Sequence, residues 1–334
     1  MRRGSFHYLI SRPGDRRSRF RVASYGRHEV GVTRVIPDWW CGPKRQVRRK
    51  VLAYPRLLDE TQTMSRQDDV SSDTPEERLP GGKLTIVVRA GDTVRRPGKP
   101  WSRDVQRLLL HVRERGFLLA PEPRGFDEQG REVLSFIEGD TSASVAHWPG
   151  TLWSDGLLAE VGQTVAAYHR AVSDFVPDEV AHWQYRPRDL RPGEIICHHD
   201  FAPYNAVFGG ERLLGMIDWD GAGPGTVQEE IAFLAWQWVP LGPPDLKAKI
   251  GCDLKTDEVA RLHLLLDGYG YEDRGGLMDA VIERAEISRS GIEEYADAGD
   301  PAYFALREEG YPRDIERIIR YLEEVGRNLQ AAIE

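Results

Sequence analysis

The chain has 334 residues, 40% of them hydrophobic and 29% charged, and its formal net charge is −8. This length is sufficient for two lobes of ordinary size. No apolar run approaches the length of a membrane span, and the first residues lack the apolar segment of a secretory signal. The three Cys residues are far apart, which argues against a disulfide framework and a zinc site and favours a cytoplasmic protein.

The charge is distributed unevenly along the chain. Residues 1–63 contain 15 Lys and Arg but only 5 Asp and Glu, a net charge of +10, so the remaining residues carry −18. A basic terminal segment usually suggests nucleic-acid binding, but these basic residues follow no period and share no face. We therefore expect neither nucleic acid nor a membrane as partner. Residues 1–78 are interpreted as a poorly ordered or non-native extension, with Met64 as a plausible native start.

The first elements predicted after the extension are a β-hairpin and a helix. Residues 85–89 and 93–96 alternate or run apolar with β-branched residues, and Ala90-Gly91-Asp92 between them has the composition of a turn. Ser102 is a favourable N-cap for a helix. Apolar residues then recur at helical spacing, namely Val105, Leu108, Leu109 and Val112. Residues 131–136 predict a further strand.

From residue 140 onward the pattern is mainly helical. Apolar residues at steps of three and four predict one helix with Leu158, Val161, Val165 and Tyr168 on its buried face. Residues 228–238 predict another. A final amphipathic helix is indicated by Ile315, Ile318, Ile319, Leu322 and Leu329.

The most informative segment contains His198, Asp200 and Asn205 in the spacing H-x-D-x-x-x-x-N. Only two Asn residues occur in the chain, and one of them falls on this motif. The spacing allows an Asp to accept a hydroxyl proton while an Asn oxygen five residues later binds a metal ion. The alternative is a polar loop in which Asp200 only caps a turn.

The residues after the motif predict a hairpin that ends at a second acidic residue. Ala206-Val207-Phe208 and residues 213–217 read as strands on either side of Gly209-Gly210, a turn signal. The second strand leads to Asp218, which lies in the segment I-D-W. Its carboxylate and the Asn205 oxygen are hard ligands of the kind that Mg²⁺ prefers.

These motifs and their order resemble the aminoglycoside phosphotransferase and choline kinase-like family, over roughly residues 79–238. The resemblance implies an α+β, protein-kinase-like bilobal fold. A small β-rich N-lobe with the nucleotide site and hinge is expected at residues 79–139. A larger helical C-lobe with the catalytic loop and the acceptor site is expected at residues 140–334.

The resemblance implies a role for each residue of the motifs. Asp200 is expected to be the catalytic base, and Asn205 and Asp218 to bind Mg²⁺. His198 is expected to hold the loop in place by packing and hydrogen bonding. His199 stands where the family often has Gly or Asn, and we assign it no chemistry.

The family usually has a Lys or Arg on the third strand, which binds the phosphates of the nucleotide and is supported by an acid on the following helix. Arg95 is expected to have this role, with Arg96 as the alternative because alternation directs only one of the two towards the cleft. An exposed cation on an edge strand is the other interpretation. No acid stands at an obvious mid-helix position, and Asp104 and Glu114 are the candidates.

Other nucleotide contacts implied by the resemblance are less specific. Gly81 and Gly82 are candidates for phosphate binding through backbone N–H groups, or they form a plain turn. Ser135 and Ile137 are expected at the hinge, where backbone groups bind adenine, unless the segment is an ordinary connection. Glu230 stands where the family usually has Asp, and its longer carboxylate is a candidate anchor for the catalytic loop.

The implied activity is transfer of the γ-phosphate of ATP or GTP to a hydroxyl of an aminoglycoside or other antibiotic, an amino alcohol or a sugar. The alternative is a non-catalytic binding or immunity protein of the same fold, although the complete set of metal ligands favours catalysis. Acids cluster near the C-terminus at Asp267, Glu272, Asp273, Glu293, Glu294 and Asp297. If they line the cleft, the acceptor is cationic or neutral; otherwise they only keep helix surfaces soluble.

Overall fold

The structure is a computed structural model that describes residues 75–79, 86–142, 150–178, 180–253 and 255–334. All of these residues belong to one compact unit of the chain. The N-terminal segment up to residue 74 and the predicted phosphate-binding residues Gly81 and Gly82 lie outside the described residues.

A five-stranded antiparallel sheet with the order β1-β2-β3-β5-β4 forms the first part of the fold. Its strands are β1 Glu76–Arg78, β2 Val88–Ala90, β3 Thr93–Pro97, β4 Pro123–Phe126 and β5 Arg131–Ser135. The predicted hairpin is confirmed, since β2 and β3 pair around Gly91, whose φ of 63° suits a tight turn. Helix α1, Ser102–Glu114, packs on β4. We call this sheet with α1 the N-lobe.

Two predictions for the N-lobe differ from the structure. Strand β1 falls within the predicted extension, yet Glu76 accepts hydrogen bonds from Arg131 at 2.6 Å and from Arg95 at 3.3 Å. A short charged edge strand looks like a solvated segment in the sequence because its stabilising cations lie far along the chain. Ser102 is the first helical residue rather than the N-cap, and its Oγ accepts a hydrogen bond from the N–H of Lys99 at 3.0 Å.

The chain leaves this sheet after β5 and enters a second group of elements, the C-lobe. Its strands are β6 Asp140–Thr141, β7 Ile195–Cys197, β8 Ala206–Gly209, β9 Arg212–Met216 and β10 Gly223–Gly225. Strands β6, β8 and β9 form one sheet, and β7 pairs with β10. The helices are α2 Asp155–Val172, α3 Val227–Trp238, α4 Pro244–Lys249, α5 Glu258–Tyr269, α6 Leu277–Asp297, α7 Pro301–Glu308 and α8 Tyr311–Ile333.

The elements confirm the expected α+β class. The predicted helices around residues 158–168, 228–238 and 315–329 correspond to α2, α3 and α8, and the predicted hairpin after the motif is β8–β9. None of the helices in the described ranges combines the length and the apolar character needed to cross a membrane.

Helix α2 is central to the C-lobe core and supports the strand that leads to the motif. Tyr168 is fully buried, and its hydroxyl donates a hydrogen bond to the carbonyl of Ile196 on β7 at 2.6 Å. Its ring also packs edge-on against Trp219, at 5.0 Å between ring centres. The apolar face of α2 therefore fixes both β7 and the segment around Asp218.

Helices α2 and α5 are in backbone contact at two glycines. A Cβ atom on Gly162 would lie 2.3 Å from the carbonyl oxygen of Leu265, and one on Gly268 would lie 2.5 Å from that of Ala159. No side chain fits at either position without separating the helices, since the opposing atoms belong to the main chain.

Gly162→Ala is therefore expected to lower the free energy of unfolding by about 1–3 kcal/mol, the usual cost of overpacking a close contact. Gly156→Ala is the matched control in the same helix, because its Cβ would meet nothing closer than the Oγ of Ser154 at 3.9 Å. The control should be neutral or stabilising by up to about 1 kcal/mol. Urea unfolding of both variants checks this, and equal effects would contradict the proposed helix contact.

Candidate active site

The candidate catalytic loop, His198–Asn205, is hydrogen-bonded to Glu230 in the first turn of α3. Glu230 is 1% exposed, and its carboxylate accepts hydrogen bonds from the N–H groups of His198 at 2.5 Å and His199 at 3.1 Å. A capping box formed by Thr226 and Glu229 fixes the start of α3. The longer carboxylate thus reaches the loop, as expected from the sequence.

His198 packs inside the loop in the manner predicted for a structural residue. It is fully buried, and its Nδ1 accepts from the N–H of Asp200 at 3.3 Å, so the proton of the neutral ring is on Nε2. That N–H donates to the carbonyl of Ile217 at 3.1 Å. The ring therefore connects the catalytic loop to the segment that contains Asp218.

His199 is also buried and hydrogen-bonded. Its φ of 63° is unusual for a residue other than glycine, and its Nε2 lies 3.1 Å from the carbonyl oxygen of Gly223. Arg284 of α6 donates to the His199 carbonyl at 2.9 Å. The ring is only 3% exposed, so its surroundings indicate a conformational role in the loop.

Asp200 and Asn205 are in direct contact. The Asn205 Nδ2 lies 2.8 Å from the Asp200 carbonyl oxygen and 2.9 Å from its Oδ2. Both oxygens are acceptors, so the NH₂ group must face Asp200 and the amide oxygen must face away. This orientation keeps the Asn205 amide oxygen away from the Asp200 oxygens, and it stays a candidate metal ligand. The hydroxyl of Tyr204 donates to the other Asp200 oxygen at 3.0 Å.

The surroundings of Asp200 make its carboxylate more basic than usual. Burial at the base of the cleft and the nearby charge of Asp218 raise its pKa to about 7, against the opposing hydrogen bond from Tyr204. A base is most effective when its pKa lies near the working pH. Asp200 is thus suited to accept a proton at neutral pH.

Asp218 stands in a strained backbone conformation two residues after the end of β9. Its φ is 60° and its side chain is half exposed, whereas the following Trp219 is buried. Such conformations cost about 1–3 kcal/mol and cluster at functional sites. The segment also approaches the catalytic loop closely, because a Cβ on Gly221 would lie 3.0 Å from the His198 carbonyl oxygen.

Arg96, rather than Arg95, faces this acidic region. Its Nη1 lies 3.3 Å from Asp218, its Nη2 lies 2.6 Å from Asp220, and its Nε lies 2.7 Å from Glu132. Burial lowers the pKa of Arg96, but the three carboxylates outweigh it and raise the pKa, so the guanidinium stays charged. Arg95 points to the opposite face and pairs with Glu76. The sequence-based preference for Arg95 is therefore reversed. We call Arg96, Glu132, Asp218 and Asp220 the Arg96 cluster.

The acid that supports this arginine is on a strand and was missed in the sequence. Asp104, the helix candidate, instead accepts a hydrogen bond from the N–H of His182 at 2.8 Å. Glu114, the other candidate, is exposed in the last turn of α1. Glu132 lies directly opposite Arg96 in the β3–β5 register and is fully buried. Its signal in the sequence is a Glu directly before two apolar residues, Val133 and Leu134, of the predicted strand.

At the predicted hinge, two polar groups of Ser135 are already hydrogen-bonded to Glu122. Its N–H donates to the carbonyl of Glu122 at 2.9 Å and its Oγ accepts from the N–H of Glu122 at 2.8 Å. These hydrogen bonds engage the N–H and the hydroxyl of Ser135, so its carbonyl group is the part that stays a candidate adenine contact. Ile137 lies just beyond the sheet, half-buried against Gly215, and stays a candidate.

One buried cluster within the described residues has the side-chain types of a metal site. The ligand atoms of His169, Cys197 and Glu230 lie within 4.8 Å of one another. Burial raises the pKa of the Cys197 thiol, which stays protonated, whereas metals bind the thiolate. Both Glu230 oxygens are already hydrogen-bonded to the loop. The cluster is therefore part of the support of the catalytic loop.

The sequence matches a known family over the segment that contains these residues. The model of the phosphotransferase enzyme family matches residues 153–262. A trifolitoxin immunity protein of Rhizobium leguminosarum bv. trifolii is 39% identical over 210 residues, which are 61% of this chain and 78% of that protein. The chain belongs to the phosphotransferase enzyme family.

Solved structures confirm the kinase-like fold. A choline/ethanolamine kinase family protein from Mesorhizobium loti has a TM-score of 0.51 at 18% identity, covering 79% of this chain and 94% of that chain. A putative aminoglycoside phosphotransferase from Ralstonia eutropha JMP134 has the same TM-score at 14% identity, covering 77% and 94%. At these identities the similarity establishes the bilobal fold only.

The burial of His199 leads to a prediction about acid stability. Burial lowers the pKa of His199 from 6.5 to about 4. Below pH 6.5 the unfolded chain therefore binds a proton that the folded protein does not bind until about pH 4, and the free energy of unfolding falls in this window.

Between pH 7 and pH 5 the depressed pKa of His199 lowers the free energy of unfolding by about 2 kcal/mol. His199→Gln keeps an amide donor for the Gly223 carbonyl but does not titrate. The wild type should therefore lose about 2 kcal/mol more stability than the variant over this range. Urea unfolding at both pH values measures the difference, and identical pH dependence would show that His199 titrates normally.

Proposed function

We propose that the protein is a small-molecule O-phosphotransferase that transfers the γ-phosphate of ATP or GTP to a hydroxyl group of a small acceptor. The observation that supports this most is the juxtaposition of Asp200, Asn205 and Asp218. Asp200, with a pKa near 7, is hydrogen-bonded to Asn205 and feels the charge of Asp218, and the charged Arg96 adjoins Asp218. This combination serves a hydroxyl nucleophile and a polyphosphate together.

In the proposed reaction the acceptor hydroxyl oxygen bonds to the γ-phosphorus while the bond to the β–γ bridging oxygen breaks and the nucleoside diphosphate leaves. Asp200 orients the hydroxyl and takes its proton. Tyr204 and Asn205 hold the two carboxylate oxygens. The ligands present fit Mg²⁺, which Asn205 and Asp218 would hold and which would offset phosphate charge. Arg96 would contribute a further positive charge at the phosphates.

The acceptor is proposed to be a hydroxylated small molecule that is cationic or neutral, such as an aminoglycoside or an amino alcohol. The acidic C-terminal region favours it, although the structure pairs three of its six clustered acids with arginines. Arg274 binds Asp267, and Arg307 binds Glu293 and Asp297. A nucleotide-consumption screen against hydroxylated cations, neutral sugars and sugar acids would identify the class.

Asp200→Asn is expected to lower kcat by at least about 100-fold, because it removes the proton acceptor. Binding of the nucleotide should change little, since the phosphate contacts are elsewhere. Asp189→Asn is a control at an exposed position in the segment before β7. Steady-state turnover with the best acceptor of the screen checks this, and turnover within a few-fold of wild type would refute the assignment of the base.

Asp218→Asn is expected to weaken Mg²⁺-dependent nucleotide binding by more than about tenfold, because losing a direct metal ligand should cost at least as much as losing a residue that only supports one. Asn tolerates the positive φ at this position, so the fold should persist. Calorimetric titration with and without Mg²⁺, compared with Asp200→Asn, provides the measurement. Equal losses in the two variants would contradict the separate metal role of Asp218.

The immunity protein among the relatives supports a second candidate, a non-catalytic protein that confers immunity by binding. Catalytic and non-catalytic action are separated by the same Asp200→Asn variant. Expressed in a strain sensitive to trifolitoxin, a protein that protects only with Asp200 intact acts by catalysis. Protection that survives the substitution would favour binding alone.

A further inference from the structure

Glu132 is a buried charged residue whose contacts point to a role in positioning Arg96. This side chain is fully buried in the N-lobe sheet, where an unpaired carboxylate is strongly unfavourable. Its Oε2 accepts from Arg96 Nε at 2.7 Å, and Oε1 accepts from the Nε2 of Gln106 at 3.0 Å. Ser102 also reaches Oε2, at 3.4 Å. Both oxygens are thus engaged, and Arg96 supplies the compensating charge.

The register explains why this pairing is rigid. Arg96 and Glu132 are directly opposed residues on adjacent strands, so their side chains leave the same face of the sheet at neighbouring positions. The two strands share a continuous ladder from Thr93 to Pro97. No movement of helix α1 is required to bring the carboxylate to the arginine.

Helix α1 takes part through a neutral side chain. Gln106 donates to Glu132 and to the carbonyl of Val133 at 3.3 Å, and its own oxygen accepts from the N–H of Gly125 at 3.0 Å. An acid at this helix position would stand next to the Glu132 carboxylate and repel it. The amide therefore ties the helix to the strand without adding charge.

We infer that Glu132 is the positioning residue for Arg96, directing its guanidinium towards the donor phosphates, and that Gln106 fixes Glu132 from helix α1. This inference rests on the proposed function. The Nε of Arg96 is occupied by Glu132, so the Nη groups are the ones that extend towards Asp218 and Asp220. The sheet therefore determines which part of the guanidinium faces the cleft.

The test compares three variants by titration with Mg²⁺-nucleotide and by steady-state kinetics. Glu132→Gln removes the charge and keeps the shape, and should weaken nucleotide binding about tenfold or more, as expected for a charge-assisted hydrogen bond. Its KM for the acceptor should stay close to that of the wild type. Asp104→Asn, which removes an acid of the same lobe that does not contact Arg96, should leave nucleotide binding unchanged.

The third variant, Gln106→Glu combined with Glu132→Gln, exchanges the amide and the carboxylate between the helix and the strand. It should recover a substantial part of the nucleotide affinity lost in Glu132→Gln, because a negative charge returns to the cluster. If Glu132→Gln does not fold, Glu132→Asp replaces it in the test. This variant keeps the charge but shortens the side chain by one methylene, so it should lose less nucleotide affinity than expected for Glu132→Gln.

The outcomes separate this inference from the function on which it rests. Wild-type nucleotide affinity in Glu132→Gln would overturn the inference and leave the function standing. Equal losses in nucleotide affinity and acceptor KM, with no recovery in the exchange variant, would assign Glu132 to general folding. A wild-type protein that binds no nucleotide would overturn both.

Discussion

The buried carboxylate of Glu230 is the interaction on which the candidate site depends. A charge at this depth is tolerated only when hydrogen bonds surround it, and the N–H groups of His198 and His199 supply them. The buried Glu230 carboxylate is therefore stable only while the loop keeps its shape, and the loop keeps its shape because its N–H groups bind this carboxylate. The pKa of Glu230 is lowered to about 2 despite burial, with His169 at 3.9 Å contributing to this, so the carboxylate stays ionised over the whole working range of pH.

Much of the fold was predictable because its elements depend on local signals. The period of α2, the hairpin at Gly91 and the order of elements around Asp218 all follow from neighbouring residues. Strand β1 was not predictable, since Glu76 is held by Arg95 and Arg131, of which the second lies 55 residues away. The start of α1 was misplaced by one residue because Ser102 can cap a helix or begin it.

The residues around the proposed nucleotide site were predicted less well, because their contacts depend on segments that are distant in the sequence. Alternation shows that Arg95 and Arg96 face opposite sides, but which of them faces Asp218 and Asp220 depends on contacts across more than 120 residues of sequence. The pairing of β3 with β5 places Glu132 opposite Arg96, and on the other side of β5 the N–H of Ser135 donates to Glu122. The motif residues were located more easily because their spacing lies within one loop.

Arg96 also has a consequence for motion between the lobes. It belongs to the N-lobe, yet it donates to Asp218 and Asp220 of the C-lobe. The segment that joins the lobes, between β5 and β6, is short. At its end Gly139 lies against the backbone of β8, since a Cβ on Gly139 would lie 2.6 Å from the Phe208 carbonyl oxygen. Opening of the cleft must therefore break ion pairs of the same guanidinium that is proposed to receive the phosphates. Hinge motions between domains generally occur on microsecond to millisecond timescales. Under the proposed function, nucleotide entry and lobe opening would be coupled through this one side chain.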